Sequence, residues 1–458
     1  MPGIYSEGAL LVSDETERAT HERDISGSDS SLALPTAKYS HQLKAGLFFL
    51  FGISMLLPWN SWITITSYFR TTFKNTPFSD NFNSWFSLTF MASNIVFLLI
   101  FVRFPYLGLK NRIIIGFLLS VVCFSMASLM PWSNINSQSY FFCTLILIVI
   151  SSGSSSFLTG IMGLVASYDP AYLAYMASGQ GMGGILPSVF QIVMLKSTMS
   201  KNMIAAYFGS TVVLAVISCV GLYALFHIEP PKPYSSEEYM SIEDAVTANE
   251  HLPPVRAAIS LYVVFRSVQI YLFAVFLNFF VILAVFPGIT SSIKSINTDP
   301  LRPPIQSVLF VPLHFLCLNI FDWIGKSLPT MPMFSKLDRN RILLYSVLRL
   351  GFIPLFLTCN LEFKTSDGIA LPRALPLVFG DQFYFLFVAI FALTSGYLNS
   401  ITFIEAGNAL PHELSAFQAA HGLAGDMMGI SLALGLAIGS LFSFALRAGL
   451  CSCNPFIS

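Results

Sequence analysis

"SVLFVPLHFLCLNIFDWIGKSLP", residues 307–329, decides what kind of fold this chain can adopt. Residues 307–321 carry no formal charge, and then Asp322 and Lys326 arrive inside a segment that is otherwise apolar. A helix of about 20 apolar residues crosses the roughly 30 Å hydrocarbon core of a bilayer. An unpaired carboxylate at its centre costs about 3 kcal/mol, so an acid there has a specific task. Runs of similar length, separated by short polar breaks, recur from residue 43 to residue 447. The 458 residues are 54% hydrophobic and 10% charged, with a mean hydropathy of +0.68. Soluble domains carry about 25% charged residues. The chain therefore reads as an all-α polytopic membrane protein whose solvent is a lipid bilayer. Lys+Arg and Asp+Glu are equal at 24 each, which gives no basic excess for binding nucleic acid.

Eleven spans are expected: 43–69, 84–102, 113–132, 141–167, 171–195, 204–227, 260–287, 306–326, 341–359, 382–404 and 421–447. Residues 1–42 are rich in Ser, Thr and acids and read as a disordered cytosolic tail. Residues 43–227 form an N-terminal six-helix bundle and 260–447 a C-terminal five-helix bundle. Between them, 228–259 is a hydrophilic cytosolic linker, within "HIEPPKPYSSEEYMSIEDAVTANEHLPPVR" (227–256). Residues 448–458 are a short tail. The basic loops "RFPYLGLKNR" (103–112) and "KLDRNR" (336–341) lean towards a cytosolic N-terminus, against Arg70, Lys74, Lys196, Lys201, Lys294, Arg302, Lys364 and Arg373 in the opposite loops. Gly179 and Gly183, Gly425 and Gly429, and Gly435 and Gly439 have the spacing that lets helices pack closely in lipid. Five of the seven cysteines, Cys123, Cys143, Cys219, Cys317 and Cys359, lie inside apolar runs without metal-ligand spacing. Cys451 and Cys453 are read as free tail thiols, with acylation or pairing as alternatives. No metal or cofactor is implied. No N-x-[ST] sequon occurs.

Phe315, Asn319, Asp322 and Lys326 are spaced to share one helix face, with the acid four residues before the base, the favourable order for a pair. That face meets another helix or a water-filled cavity, since lipid would penalise it. One reading is a salt bridge that fixes packing, with Lys326 snorkelling outward. The other is a cavity lining, extended by Asn319 and the Phe315 ring. In the first span, "MLLPWNSWITITSYF" (55–69), Pro58 should kink or loosen the helix and turn Trp59 and Asn60 toward a cavity. Trp59 can equally anchor at an interface.

These residues fall in segments that resemble the signatures of the equilibrative nucleoside transporters. "LLPWNSWITITSYF", "FPGITSSIKS", "NIFDWIGKSL", "LRLGFIPLFLTCN", "SGYLNS" and "GLAIGSLFSFALR" lie, in the family's order, in spans one and seven to eleven, and "SGQG" (178–181) fits the fifth. The resemblance covers roughly 43–447. It implies a six-plus-five bundle of the major facilitator kind, alternating access around one central site, and nucleosides or, in some members, nucleobases as substrates. It implies that Leu56 and Trp59 wall the base, with Phe286, Phe315 and Leu436 completing an apolar surround. Asp322 would accept hydrogen bonds from ribose hydroxyls, with Asn319 beside it and Lys326 as cationic partner. A carboxylate is acceptor-only, so it suits a donor-rich sugar, and charge-assisted bonds to it are the stronger kind.

The sequence departs from the family pattern twice. Lys326 stands where the family usually has arginine, so a point charge replaces a planar fork. Leu158 takes the place of a base-facing glutamine in the fourth span, with Ser154, Ser155, Ser156 and Thr159 nearby; Ser155 and Thr159 are candidates for a polar cavity lining. Gln180 is a further candidate, with helix packing as the alternative. A proton-coupled nucleoside carrier of an acidic organelle is the runner-up, since Asp322, His314, Glu405 and Asp426 are ionisable groups in or near spans. A membrane enzyme is disfavoured: HExxH, CxxC, GxSxG and P-loop patterns are absent. The membrane served is the plasma membrane or a vacuolar or lysosomal one.

Overall fold

A backbone in lipid must satisfy its own hydrogen bonds, and helices do so within one segment. The computed structural model describes residues 33–103, 108–166, 168, 172–196, 200–228, 261–296, 309–362, 375–410, 418–451, 454 and 456. The expected linker lies outside them except for Ile228, as do residues 1–32 and Cys453, and the side chain of Asp426 is likewise not described. The helices are α1 Ala33–Thr64, α2 Thr66–Thr72, α3 Phe82–Arg103, α4 Leu109–Leu129, α5 Ser137–Leu158, α6 Gly160–Ala166 and α7 Tyr172–Lys196. They continue with α8 Lys201–Ile228, α9 Leu261–Val285, α10 Phe310–Ser327, α11 Arg339–Leu348, α12 Phe352–Leu357, α13 Asp381–Asn408 and α14 Gln418–Cys451. Among the described residues the sole β feature is an isolated bridge between Ile293 and Leu361.

Among the described residues, nine stretches are long and apolar enough to cross a membrane, against the eleven expected. The difference lies in α7 and α10, and packing explains it. These two helices lie against each other across the two halves, so the glycines of one and the polar residues of the other face protein, not lipid. The first helix begins at Ala33, ten residues before the expected start, although its membrane-crossing part begins at His41. Pro58 does not break it. The helix runs on to Thr64 and breaks at Ile65, whose ψ of 45° is not helical. Asn75 turns the chain at φ 68°, a conformation that asparagine tolerates better than most residues. Asn136 caps α5 by accepting from the Ser139 N–H at 2.8 Å.

The closest seams are those of α9 with α14, α1 with α7, and α10 with α13. A Cβ at Gly179 or Gly183 would run into the backbone carbonyls of Phe49 and Ile53 on α1, and one at Gly435 or Gly439 into those of Phe276 and Phe280 on α9. Gly425 and Gly429 do not act this way; a Cβ there would meet nothing within 4 Å. Cys451 is disulfide-bonded, which corrects the reading of a free tail thiol, while the five cysteines of the spans are free.

Candidate functional site

The site starts from α10. Lys326 Nζ lies 2.7 Å from Asp322 Oδ2, and the side chains keep 12% and 22% of their exposure respectively. The polar face on which they sit divides in two. Phe315 is fully buried, its ring 5.0 Å from that of Phe286. Asn319 is also buried, and its amide nitrogen donates to Ser188 Oγ at 3.2 Å and to the Phe315 carbonyl at 2.9 Å. Gly184 of α7 has no side chain at the point where Asn319 Oδ1 approaches. Trp323 Nε1 donates to Ser178 Oγ at 3.1 Å, so a second bond ties α10 to α7. The half of the face holding Asp322 and Lys326 is the half that a solvent molecule can reach.

From α1, Trp59 is half-buried and packs against both the aromatic cluster of the N-terminal half and that of the C-terminal half. Its ring centroid lies 4.9 Å from that of Phe90. It is therefore a bundle-interior residue and not an interfacial anchor. Leu56 and Leu436 are likewise half-buried, and Leu436 packs on the N-terminal cluster from α14. Asn60 turns back on its own helix, donating to the Leu56 carbonyl at 3.1 Å. Gln180 Nε2 is directed at Met55 Sδ at 3.8 Å, within the α1–α7 seam.

The α5 candidates lie elsewhere. Thr159 accepts from Arg112 Nη2 at 2.6 Å, at the break between α5 and α6. Leu158 is fully buried, with its side chain 3.0 Å from where a Cβ of Gly116 would stand. Ser155 Oγ is buried without a hydrogen-bond partner among the described residues. Of the relay candidates, His314 is fully buried among the rings of Phe286, Phe315 and Tyr384, and neither ring nitrogen has a partner among the described residues. Glu405 accepts from the Leu337 N–H at 3.4 Å, near the C-terminal end of α13.

Beyond Trp59, toward the C-terminal end of α1, the halves close on each other. Ile63, Phe286, Ile293 and Phe315 are buried in one cluster. Outside that layer, Asn83 Nδ2 donates to Ser291 Oγ at 3.0 Å, Arg70 Nη2 points at the Ser291 carbonyl at 3.5 Å, and Arg447 Nη1 donates to the Asp80 carbonyl at 3.2 Å. Burial pulls the Arg70 guanidinium below its usual pKa, and the charge of Asp80 opposes that shift. The described residues thus hold a partly exposed acid–base pair on α10 and, towards the C-terminal end of α1, a buried layer shared by residues of α1, α9 and α10. Together they have acceptors for hydroxyl donors and apolar surface for a ring.

Two features were missed by the sequence reading. Ser178 and Ser188 could not be chosen among the many serines of the chain. Arg349 could have been, since it is a lone cation in an apolar run, the same signal that marked Asp322.

Comparison with known proteins bears on the family and the fold. Residues 144–448 match the family model described as "Nucleoside transporter". Equilibrative nucleoside transporter 2 of Mus musculus is 26% identical over 89% of this chain and 98% of its own. Equilibrative nucleoside transporter 1 of Homo sapiens is 26% identical over 88% and 96%, and the nucleoside transporter FUN26 of Saccharomyces cerevisiae 24% over 92% and 88%. Among solved structures, a variant of the nucleoside transporter NupG superposes with a TM-score of 0.51 at 15% identity, covering 87% of this chain and 90% of that one. A POT family transporter in complex with 5-aminolevulinic acid gives 0.53 at 14% identity, covering 90% and 92%. At such identities these two speak for the fold alone.

Proposed function

The chain belongs to the nucleoside transporter family, and from that premise we propose that it is a facilitative carrier, moving nucleosides down their gradient by alternating access. The observation that carries the reading is the Asp322–Lys326 pair, held at 2.7 Å and left partly exposed beneath a sealed aromatic layer. Asp322 meets the sugar hydroxyls, because an ionised carboxylate can accept from both at once. Lys326 stands beside it as a counter-charge. Leu56, Trp59 and Leu436 flank the base, and Phe286 and Phe315 form the floor of the sealed layer. The two amide hydrogens of Asn319 are committed to Ser188 and Phe315, so its role is to hold α10 against α7.

We count α7 and α10 as spans, which gives six in the N-terminal half and five in the C-terminal half. With the N-terminus in the cytosol, the sealed face is the outer one and this conformer opens inward. Labelled uridine and adenosine, offered to cells without carriers of their own, test the proposal. Saturable uptake should level off at the outside concentration and stay unchanged when the medium is acidified. Uptake equal to an empty-vector control, with the protein shown to be in the membrane sampled, would refute it. Competition by unlabelled bases defines the substrate range, and imaging of a tagged chain separates plasma from vacuolar or lysosomal membrane.

A further inference from the structure

Lys326 is not the sole cation near Asp322. Arg349 opens the 3-10 turn Arg349–Gly351 between α11 and α12 and is 2% exposed. Its Nη1 donates to the Phe391 carbonyl at 2.7 Å and to Thr394 Oγ1 at 2.6 Å, both on α13. The guanidinium lies 4.6 Å from the ring centroid of Phe391. Nε and Nη2 are buried and have no hydrogen-bond partner among the described residues. A guanidinium taken out of water needs both a counter-charge and partners for its donors.

The other half of the molecule shows how much of this is structural. Arg112 Nη2 donates to the Ser156 carbonyl at 3.2 Å and to Thr159 Oγ1 at 2.6 Å. That is the same grip, on a carbonyl and on the threonine three residues further along. In both halves, then, one terminal nitrogen grips a carbonyl and a threonine of the neighbouring helix. For Arg349 this leaves the Nε–Nη2 edge unexplained. Asp322 lies along the same border, because α13, which Arg349 grips at Phe391 and Thr394, packs on α10 at that residue. Gly396, two residues beyond Thr394, lies so close to α10 that a Cβ there would run into the Asp322 carbonyl.

We propose that Arg349 is a positioning residue of the sugar site. Asp322 is shared between Lys326, which holds it in this conformer, and the Nε–Nη2 edge of Arg349, which is free to take it. Lys326 supplies a compact point charge on a flexible stem, and Arg349 a planar fork that matches a carboxylate. The fork fixes where the acceptor lone pairs point, and so how well they meet two sugar hydroxyls. The inference rests on the carrier reading above, and the test separates the two.

Uptake of uridine is compared with that of 2′,3′-dideoxyuridine, which lacks the hydroxyl pair. Arg349→Gln should lower Vmax/KM for uridine about tenfold more than for the dideoxy compound, the size of one charged hydrogen bond. Arg349→Lys, which keeps the charge, should restore part of that discrimination. Asp322→Asn should compress it too, and the double variant should compress it no further. A clamp that only holds α13 would reduce both substrates alike, and that result overturns the proposal. If Asp322→Asn leaves the discrimination intact, the sugar reading is at fault. Thermal unfolding of the purified variants then decides the pairing: midpoints that fail to add support it, and midpoints that add overturn it.

Discussion

A methyl group at Gly396 probes the geometry around Asp322 most directly. The Cβ of Gly396→Ala would overlap the Asp322 carbonyl oxygen, and would lie 2.9 Å from the Lys326 nitrogen and 3.0 Å from the Asp322 carbonyl carbon. All three are backbone atoms, so no rotamer change relieves the contact. Non-bonded heavy atoms settle at about 3.5 Å or more, so α10 and α13 must part by roughly 1 Å. Overpacking of this kind costs about 1–3 kcal/mol of stability. A shift of that size at a site residue costs up to about a hundredfold in function. We therefore expect Gly396→Ala to reach the membrane in reduced amount and to transport uridine ten- to a hundredfold more slowly per molecule, by the same estimate. The assay is initial-rate uptake normalised to surface protein. Gly46→Ala is the control, because a Cβ on Gly46 would meet nothing within 4 Å. It should behave as wild type or be slightly more stable, as alanine favours a helix by about 0.5–1 kcal/mol over glycine. Full transport by Gly396→Ala would refute the claim that Asp322 is set by a backbone seam.

Other variants probe separate parts of the site. Lys326→Arg should retain transport, since it keeps the charge beside Asp322, whereas Lys326→Met should lose most of it; uptake at matched expression decides. Trp59→Ala should raise the KM for uridine roughly ten- to a hundredfold, because aromatic stacking on a base is worth about 1–3 kcal/mol, and Trp59→Phe should fall between. Arg447→Gln removes a donor that ties α14 to the Asp80 carbonyl and should loosen the sealed side. In a Ser291→Cys background, labelling by a membrane-impermeant thiol reagent added outside should rise; unchanged labelling would exclude Arg447 from the seal.

The spans were legible because a hydrocarbon solvent writes itself into composition, and runs such as 204–227 can be read without knowing their neighbours. The two helices that escape a hydropathy criterion, α7 and α10, do so for a reason that is tertiary: each shields the polar or glycine face of the other. The Asp322–Lys326 pair was legible from spacing because it is local to one helix. What Thr159 does was not, since its partner Arg112 lies 47 residues away and nothing local announces it. The break at Ile65 had no proline or glycine to announce it, while Pro58 sits inside a continuous helix. Arg349 carried the same signal as Asp322, but read by itself an arginine near the middle of a run does not reveal which helix it grips.

The two faces of α7 have unequal consequences. On one, Gly179 and Gly183 let carbonyls of α1 sit directly on its backbone. On the other, Gly181 and Gly184 receive the side chains of Trp323 and Asn319 from α10. Main chain against main chain has nothing that can swivel, whereas an indole and an amide can each adopt another rotamer. Any rocking of one bundle against the other must then carry α1 along with α7 as a single strut, and spend its travel at the border with α10. The stator and the bearing of such a machine would be opposite sides of the same rod.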